Sequence, residues 1–323
     1  MAGLLATELI EITNDPADID NGFWAITTTF DGRFTGARFG KVERSDWKIP
    51  YAPLQIKLGD SWRSSHSKSE YCQLVENFKN EIALGNVYQV NACRTLTLDS
   101  SASIEGLVAG FLANNPAKYA GFLRIPGLEI ASASPERFLS RKGSTISSSP
   151  IKGTRAPGLS GPFPEKDQSE NIMIVDLMRN DLGRICKEDS ISVPRLLSVE
   201  ELPGLTHLVS DVEGVLKDGI KWSDIFKSTL PPGSVSGAPK SSAVKIIKEY
   251  EKNDRGPYCG AFGWIQGESA ELAVAIRTFW SNGKEIKFGT GAGITWGSDP
   301  DSEWEETELK ASRLIKIASG EFN

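Results

Sequence analysis

Asp167 and Glu170 stand three residues apart, and Glu303, Glu306 and Lys310 repeat the three-and-four step, so on helices each set falls on one face. Oxygen ligands from a few carboxylates, completed by water and a substrate carboxylate, suit magnesium better than zinc. Such spacing also marks ordinary solvated helix faces with ion pairs such as Glu306 to Lys310, and spacing alone does not make a metal site. Lys152, in PIKGT beside Gly153, lies at a strand end where partial desolvation suits a nucleophile. Glu136, in SPERF, is a general acid if burial raises its pKa, and otherwise caps a turn. His207, the only histidine besides His66, is either an acid–base group or a satisfied core side chain.

PPGSVSGAPK, residues 231–240, sets glycines and serines, Ser236 and Gly237 among them, ahead of a helix start, where free N–H groups and the dipole favour an anion. GTGAG, residues 289–293, has the wrong final spacing for a dinucleotide loop and no helix or acidic ribose partner after it. It is read as close backbone approach to a ligand, or as a sheet bend. Arg277 and Tyr258 lie on or next to strands of the same meander; an arginine reaching a pocket suits a bidentate carboxylate contact, while a lone strand arginine is also an ordinary surface charge.

Four helices are predicted to carry or flank these groups. Residues 69–84 place Leu74, Val75, Phe78 and Ile82 on one face, with Gly85 as a stop. A second runs from Asp167 to Asp181, with Ile172, Val175 and Met178 together. A third opens at Ala238-Pro239, with proline in its first turn, and continues through Val244, Ile247 and Tyr250. The last runs from Ser302 to Ala318, with Ala311, Leu314, Ile315 and Ala318 inward. VYQVNACRTLTL reads as a strand, GFLRIPGLEIASAS and RFLSRKGSTISSS as hairpins, and residues 259–296 as a meander turning near Gly267 and Asn282-Gly283. Strand blocks separated by helix blocks give an α+β fold with a largely antiparallel sheet. RAPGLSGPFPEKD, residues 155–167, is read as a loop over a site or a plain surface connection.

The chain of 323 residues is taken as one large domain, with eight Trp for its core. No apolar run approaches a membrane span of about 18 residues. The first twenty residues lack the basic stretch of a secretory or transit signal, so a cytoplasmic location is expected. The four cysteines form no close pairs of the kind zinc or a redox dithiol needs. A net charge of −6 argues against a nucleic-acid partner.

As an ordered set, SPERF, PIKGTR, ENIMIVDLMRNDLGR, HLVSDVEG, PPGSVSGAPK, YCGAFGW, AIRT, GTGAGI and SDPDSEWEETELKA resemble the chorismate-binding enzymes, the family of the aminodeoxychorismate and anthranilate synthase large components. The resemblance implies two antiparallel sheets packed as a sandwich flanked by helices, with the site between them. It divides the chain into a short N-terminal segment, residues 1–65, packing on a catalytic domain, residues 66–323, and shows no match to the tryptophan-binding feedback motif. By resemblance Glu170 and Glu306 look like direct magnesium ligands, with Asp167 and Glu303 acting through water, and the ion holds the ring carboxylate of chorismate. Tyr258, Arg277 and the backbone of Gly291, Ala292 and Gly293 resemble the groups that bind the enolpyruvyl carboxylate. His207 and Lys310 line the ring, and Thr154, Ser236 and Gly237 join the substrate-binding set.

Gln89 stands where water-adding relatives tend to carry a lysine, which favours ammonia as nucleophile. Lys152 stands where anthranilate synthases usually have Ala, and with Asn91 it points to the aminodeoxychorismate branch. The expected reaction has Lys152 attacking ring carbon 2 while Glu136 protonates the departing 4-hydroxyl; ammonia from a separate glutaminase subunit then adds at carbon 4. A separate lyase would carry the product towards 4-aminobenzoate and folate. Anthranilate synthesis is the nearest alternative, followed by isochorismate or salicylate synthesis and by a non-catalytic chorismate-binding subunit.

Overall fold

A computed structural model describes residues 3–45, 50–54, 61–114, 117–155, 161–202 and 205–321. The strands in chain order are β1 (Leu4–Thr13), β2 (Phe23–Thr28), β3 (Phe34–Arg44), β4 (Arg63–Ser64), β5 (Gln89–Asp99), β6 (Tyr119–Ile125), β7 (Leu128–Ser134), β8 (Arg137–Lys142), β9 (Thr145–Ser149), β10 (Ile151–Arg155), β11 (Ser192–Leu202), β12 (Leu205–Val215), β13 (Gly237–Ala238), β14 (Ala261–Gln266), β15 (Ser269–Val274), β16 (Thr278–Ser281) and β17 (Glu285–Ile294). The helices are α1 (Lys68–Ala83), α2 (Leu107–Asn114), α3 (Glu165–Gly183), α4 (Trp222–Thr229), α5 (Lys240–Tyr250) and α6 (Pro300–Ala318).

Every pairing between these strands is antiparallel, and the strands form two sheets, so the α+β sandwich is the observed architecture. The larger runs β1-β3-β2-β14-β15-β8-β9-β12-β10, with β11 also on β12; the smaller runs β13-β5-β17-β16-β7-β6, with β4 on β5. The expected turns fall at Gly127, Gly143, Gly267 and Gly283, each with positive φ, the conformation that glycine adopts without a Cβ penalty. β2 pairs with β14, which makes the first three strands one flank of the larger sheet.

Helix α1 opens with a reciprocal capping box between Ser67 and Glu70 and buries Tyr71, Leu74, Val75 and Phe78. Asp299 caps α6, which buries Glu303, Thr307, Ala311, Leu314, Ile317 and Ala318. Pro239 proves to be the N-cap of α5 rather than a first-turn residue. The face expected on α3 is rotated: Asn171, Ile174, Val175 and Met178 are buried, whereas Ile172 is exposed. Asn171 Nδ2 donates to Leu208 O at 3.3 Å and its Oδ1 accepts from Ser210 Oγ, so a satisfied amide takes the place periodicity gave to an apolar side chain.

Of the loop expected over residues 155–167, residues 156–160 lie outside the described set and the last three belong to α3. Among the described residues no helix is long and apolar enough to cross a membrane. For the site, α3 packs on β10 and β12, α6 packs on β17, and β5 lies between β13 and β17. Edge strand β10, central strand β5 and the first turns of α3 and α6 are thereby brought together.

Candidate active site

The β10–β12 ladder slips between Lys152 and Thr154, at Gly153 with φ 75°. A Cβ on Gly153 would lie 2.8 Å from Phe163 Cδ1 and 2.9 Å from Asp167 Oδ2, so the missing side chain admits the start of α3. Lys152 Nζ consequently sits 3.6 Å from Glu170 Oε2, and it donates to Ser234 O at 3.4 Å. Glu136, between β7 and β8, is 4% exposed. Burial, the largest influence, pushes its carboxyl up to about 7 against the opposing pull of the Ser234 hydroxyl, Lys152 and the Ile151 amide. A carboxyl poised there gives and takes protons at neutral pH. Ser234 meets both groups, its hydroxyl at Glu136 and its carbonyl at Lys152, and sequence inspection missed it in favour of Ser236 two residues on.

Around Glu170 the expected carboxylates gather. Gln89 Nε2 donates to Glu170 Oε2 at 3.1 Å, and Lys166 Nζ, another group the sequence did not flag, lies 4.0 Å from Oε1. Burial and then the charges of Glu170 and Glu306 raise the pKa of Asp167. Burial raises that of Glu303, and Glu306 adds to it despite a hydrogen bond from Ser298. Glu306 is also penalised by burial, but Lys310, ion-paired at 2.5 Å, holds it below its ordinary value. The acids of α3 and α6 therefore repel one another across the gap. Among the described residues no three His, Cys, Asp or Glu side chains converge to enclose a metal; Glu170 and Glu306 spend oxygens on Gln89, Lys152 and Lys310. The donors themselves fit a hard divalent cation, being all oxygen and mutually repelling.

The glycines of 289–293 are explained mainly by neighbouring side chains. A Cβ on Gly289 would fall 2.2 Å from Tyr258 Cγ, one on Gly291 2.4 Å from Ala92 O and 3.0 Å from Tyr258 Oη, and one on Gly293 2.5 Å from Gln89 Nε2. Tyr258 and Gln89 thus lie flat over β17, whose Ala292 is fully buried. Gly289→Ala should destabilise the fold by about 1–3 kcal/mol through overpacking, read as a lower midpoint in urea unfolding. Lys310 Nζ donates to Gly291 O at 3.0 Å, on the same strand.

Asn91 Oδ1 is buried beside Gly291 with no hydrogen-bond partner among the described residues. Arg277 has a positive φ of 52°, and no carboxylate among the described residues pairs with its guanidinium; burial, then Arg313, lowers its pKa. A largely buried cation lacking an internal anion suits an anionic ligand. His207 is 1% exposed; burial foremost, then Arg277, lowers its pKa against the pull of Glu200 and of a hydrogen bond to the Gly153 backbone. Both lowering influences favour the neutral imidazole.

Ser236 and Gly237 take roles other than the expected anion nest. The Ser236 hydroxyl donates to Pro232 O at 3.1 Å, its amide to Gly233 O, and its carbonyl accepts from the Asn91 amide at 2.9 Å. Gly237 pairs with Val90 in β13–β5, where a Cβ would fall 2.2 Å from Gln89 O. This turn clips the segment onto β5 and engages the Ser236 hydroxyl and amide within the turn itself. The backbone of Thr154 pairs with His207; its side chain lies outside the described set.

The profile of the family described as chorismate binding enzyme matches residues 56–316. Anthranilate synthase component 1 of Aquifex aeolicus is 36% identical over 79% of this chain and 54% of its own length. Aminodeoxychorismate synthase component 1 of Bacillus subtilis is 33% identical over 83% of this chain and 60% of its own. The chain thus spans 54% to 60% of the length of these relatives. Anthranilate synthase component I from Streptococcus pneumoniae superposes with a TM-score of 0.77 at 24% identity, covering 92% of this chain and 81% of its own. The menaquinone-specific isochorismate synthase of Escherichia coli gives 0.74 at 20% identity, covering 93% and 79%. These two structures share the fold.

Proposed function

The chain belongs to the chorismate-binding enzymes, and we propose that within that family it aminates chorismate at carbon 4 to give 4-amino-4-deoxychorismate. Relatives of the aminodeoxychorismate and anthranilate kinds match at similar identity, 33% and 36%, so the choice rests on the site. The observation that carries it is the meeting of Lys152 with Glu136 through Ser234, because a nucleophile and an acid sharing one bridge are what displacement of a ring hydroxyl requires.

Lys152, held 3.6 Å from Glu170, gives up a proton to solvent to become an amine and takes one back after it leaves carbon 2. Its nitrogen bonds to ring carbon 2, the ring double bonds shift, and the carbon 4–oxygen bond breaks as Glu136 delivers its proton, releasing water. Ammonia then bonds to carbon 4, the double bonds shift back, and the lysine amine departs from carbon 2 with the enolpyruvyl ether intact. Glu136, now ionised, takes up a proton from the incoming nitrogen and is reset.

Arg277 anchors a substrate carboxylate, and Tyr258 and the backbone at Gly291 flank it. Glu170 and Glu306, with Asp167 and Glu303 through water, are the residues that would hold magnesium, which when bound supplies positive charge for the ring carboxylate. Gln89, by holding Glu170, leaves an amide where a water-activating base would stand. We place the reaction in the cytoplasm, ahead of 4-aminobenzoate and folate, with ammonia supplied by a separate glutaminase subunit.

The test is a product analysis with chorismate, magnesium chloride and ammonium chloride, separated by chromatography and identified by mass, with and without an aminodeoxychorismate lyase. Aminodeoxychorismate is expected, converted to 4-aminobenzoate by the lyase and absent with EDTA. Anthranilate with released pyruvate would overturn the branch, and unchanged turnover in EDTA would overturn the metal assignment.

A further inference from the structure

Behind the site, Arg255 and Glu251 form an ion pair that the reaction does not use, with side chains 2% and 5% exposed. Arg255 Nη2 donates to Glu251 Oε1 at 2.6 Å and Nε to Oε2 at 2.8 Å, the two-pronged arrangement that fixes guanidinium and carboxylate in one plane. Its remaining donors leave the pair. Nη2 also reaches Asn91 O at 2.7 Å and Nη1 reaches Val235 O at 3.4 Å, while Glu251 Oε1 accepts the Cys93 amide at 3.0 Å. The guanidinium lies 4.2 Å from the Phe30 ring centroid, which excludes water from its face. One charged pair thereby ties the end of α5 to β5, at Asn91 and Cys93, and to the turn at Val235.

Those two tethered segments carry the chemistry. β5 presents Gln89, bonded to Glu170, and Asn91; the turn presents Ser234, which meets Glu136 and Lys152. The Asn91 amide and the Ser236 carbonyl join the two segments directly. We propose that Arg255, held by Glu251, is a positioning residue that sets the distance between the Lys152–Glu136 pair and the Gln89–Glu170 pair. This rests on the reaction proposed above. A buried ion pair is an uneconomical way to add stability, because desolvation offsets most of its attraction, whereas its fixed geometry suits registration of three segments.

The test uses Arg255→Lys and the double variant Glu251→Gln/Arg255→Gln; the double change removes both charges and leaves no lone buried ion to unfold the protein. Hydrogen exchange followed by mass spectrometry should show faster exchange in peptides covering 89–93 and 233–237, with the strands of the β14–β15 hairpin unchanged. In turnover, kcat should fall by about 10–100-fold, the cost of a misplacement near 1 Å, while KM for chorismate stays within about threefold. The fall of kcat with rising pH should also move upward. The groups facing Glu136 are the Ser234 hydroxyl, Lys152 and the Ile151 amide, and a loosened turn withdraws the hydroxyl that favours its ionised form. Unchanged exchange at 89–93 and 233–237 would overturn the proposal whatever the enzyme makes. So would lost activity with an unshifted pH profile. Wild-type protein that makes anthranilate would overturn the amination reading alone, since the exchange arm stands without it.

Discussion

Lys152→Ala is expected to lower kcat for aminodeoxychorismate formation by on the order of 10³-fold or more, because removal of an activated nucleophile costs far more than loss of one binding contact. KM for chorismate should change little, since Arg277 and the carboxylate cluster remain. Lys152 lies 3.6 Å from Glu170, so its charge also balances that acid, and alanine removes charge and nucleophile together. Lys152→Arg separates the two: it retains the cation but has no amine to attack carbon 2, and it should be as inactive as the alanine variant. An arginine variant with near wild-type kcat would reduce Lys152 to a counter-ion for Glu170.

Glu136→Gln should cost kcat about 10²–10⁴-fold, the usual contribution of a positioned acid. In the wild type the acid must be protonated, so kcat should decline as pH rises through about 7, where burial sets this carboxyl. The glutamine variant should lose that limb. Stability should follow pH in the same direction, although the glutamine substitution affects it in the opposite sense. A buried acid whose pKa is raised from 4.5 to about 7 binds more proton folded than unfolded between those values, so wild-type stability falls with increasing pH across that window. Glutamine resembles the neutral form, so Glu136→Gln should melt higher than wild type at pH 8 and close to it at pH 4. Equal melting temperatures at both pH values, with a retained kinetic limb, would assign the pH dependence to another group.

Much of the scaffold was legible because its signals are local. Hairpin glycines and the apolar face of α1 act within a few residues of themselves, and each appears where expected. Helix α4 was overlooked although Trp222, Ile225 and Phe226 have helical spacing, since a helix of eight residues offers little periodicity. α3 was found but misrotated because Asn171 is buried through hydrogen bonds, which hydrophobic periodicity does not register.

Within the site, the resemblance identified Lys152, Glu136, Gln89 and Glu170, and the fold brings them within reach of one another. Spacing alone could not supply Ser234, whose importance comes from Glu136, distant in the chain, or Arg255, which looks like any arginine after a helix. The glycines of 289–293 suggested a ligand, yet the nearest atoms to three of them belong to Tyr258, Gln89 and the strand beside them. A missing Cβ shows that something is close; only the fold shows what it is.

The most direct measurement is the intact mass of the protein after mixing with chorismate and magnesium chloride in the absence of ammonia, repeated with Lys152→Ala. We expect an adduct with the mass of chorismate less water on the wild type, located by peptide mapping to Lys152, discharged when ammonium chloride is added and absent from the variant. An adduct that survives in Lys152→Ala, or turnover to aminodeoxychorismate by that variant at the wild-type rate, would contradict nucleophilic attack by Lys152.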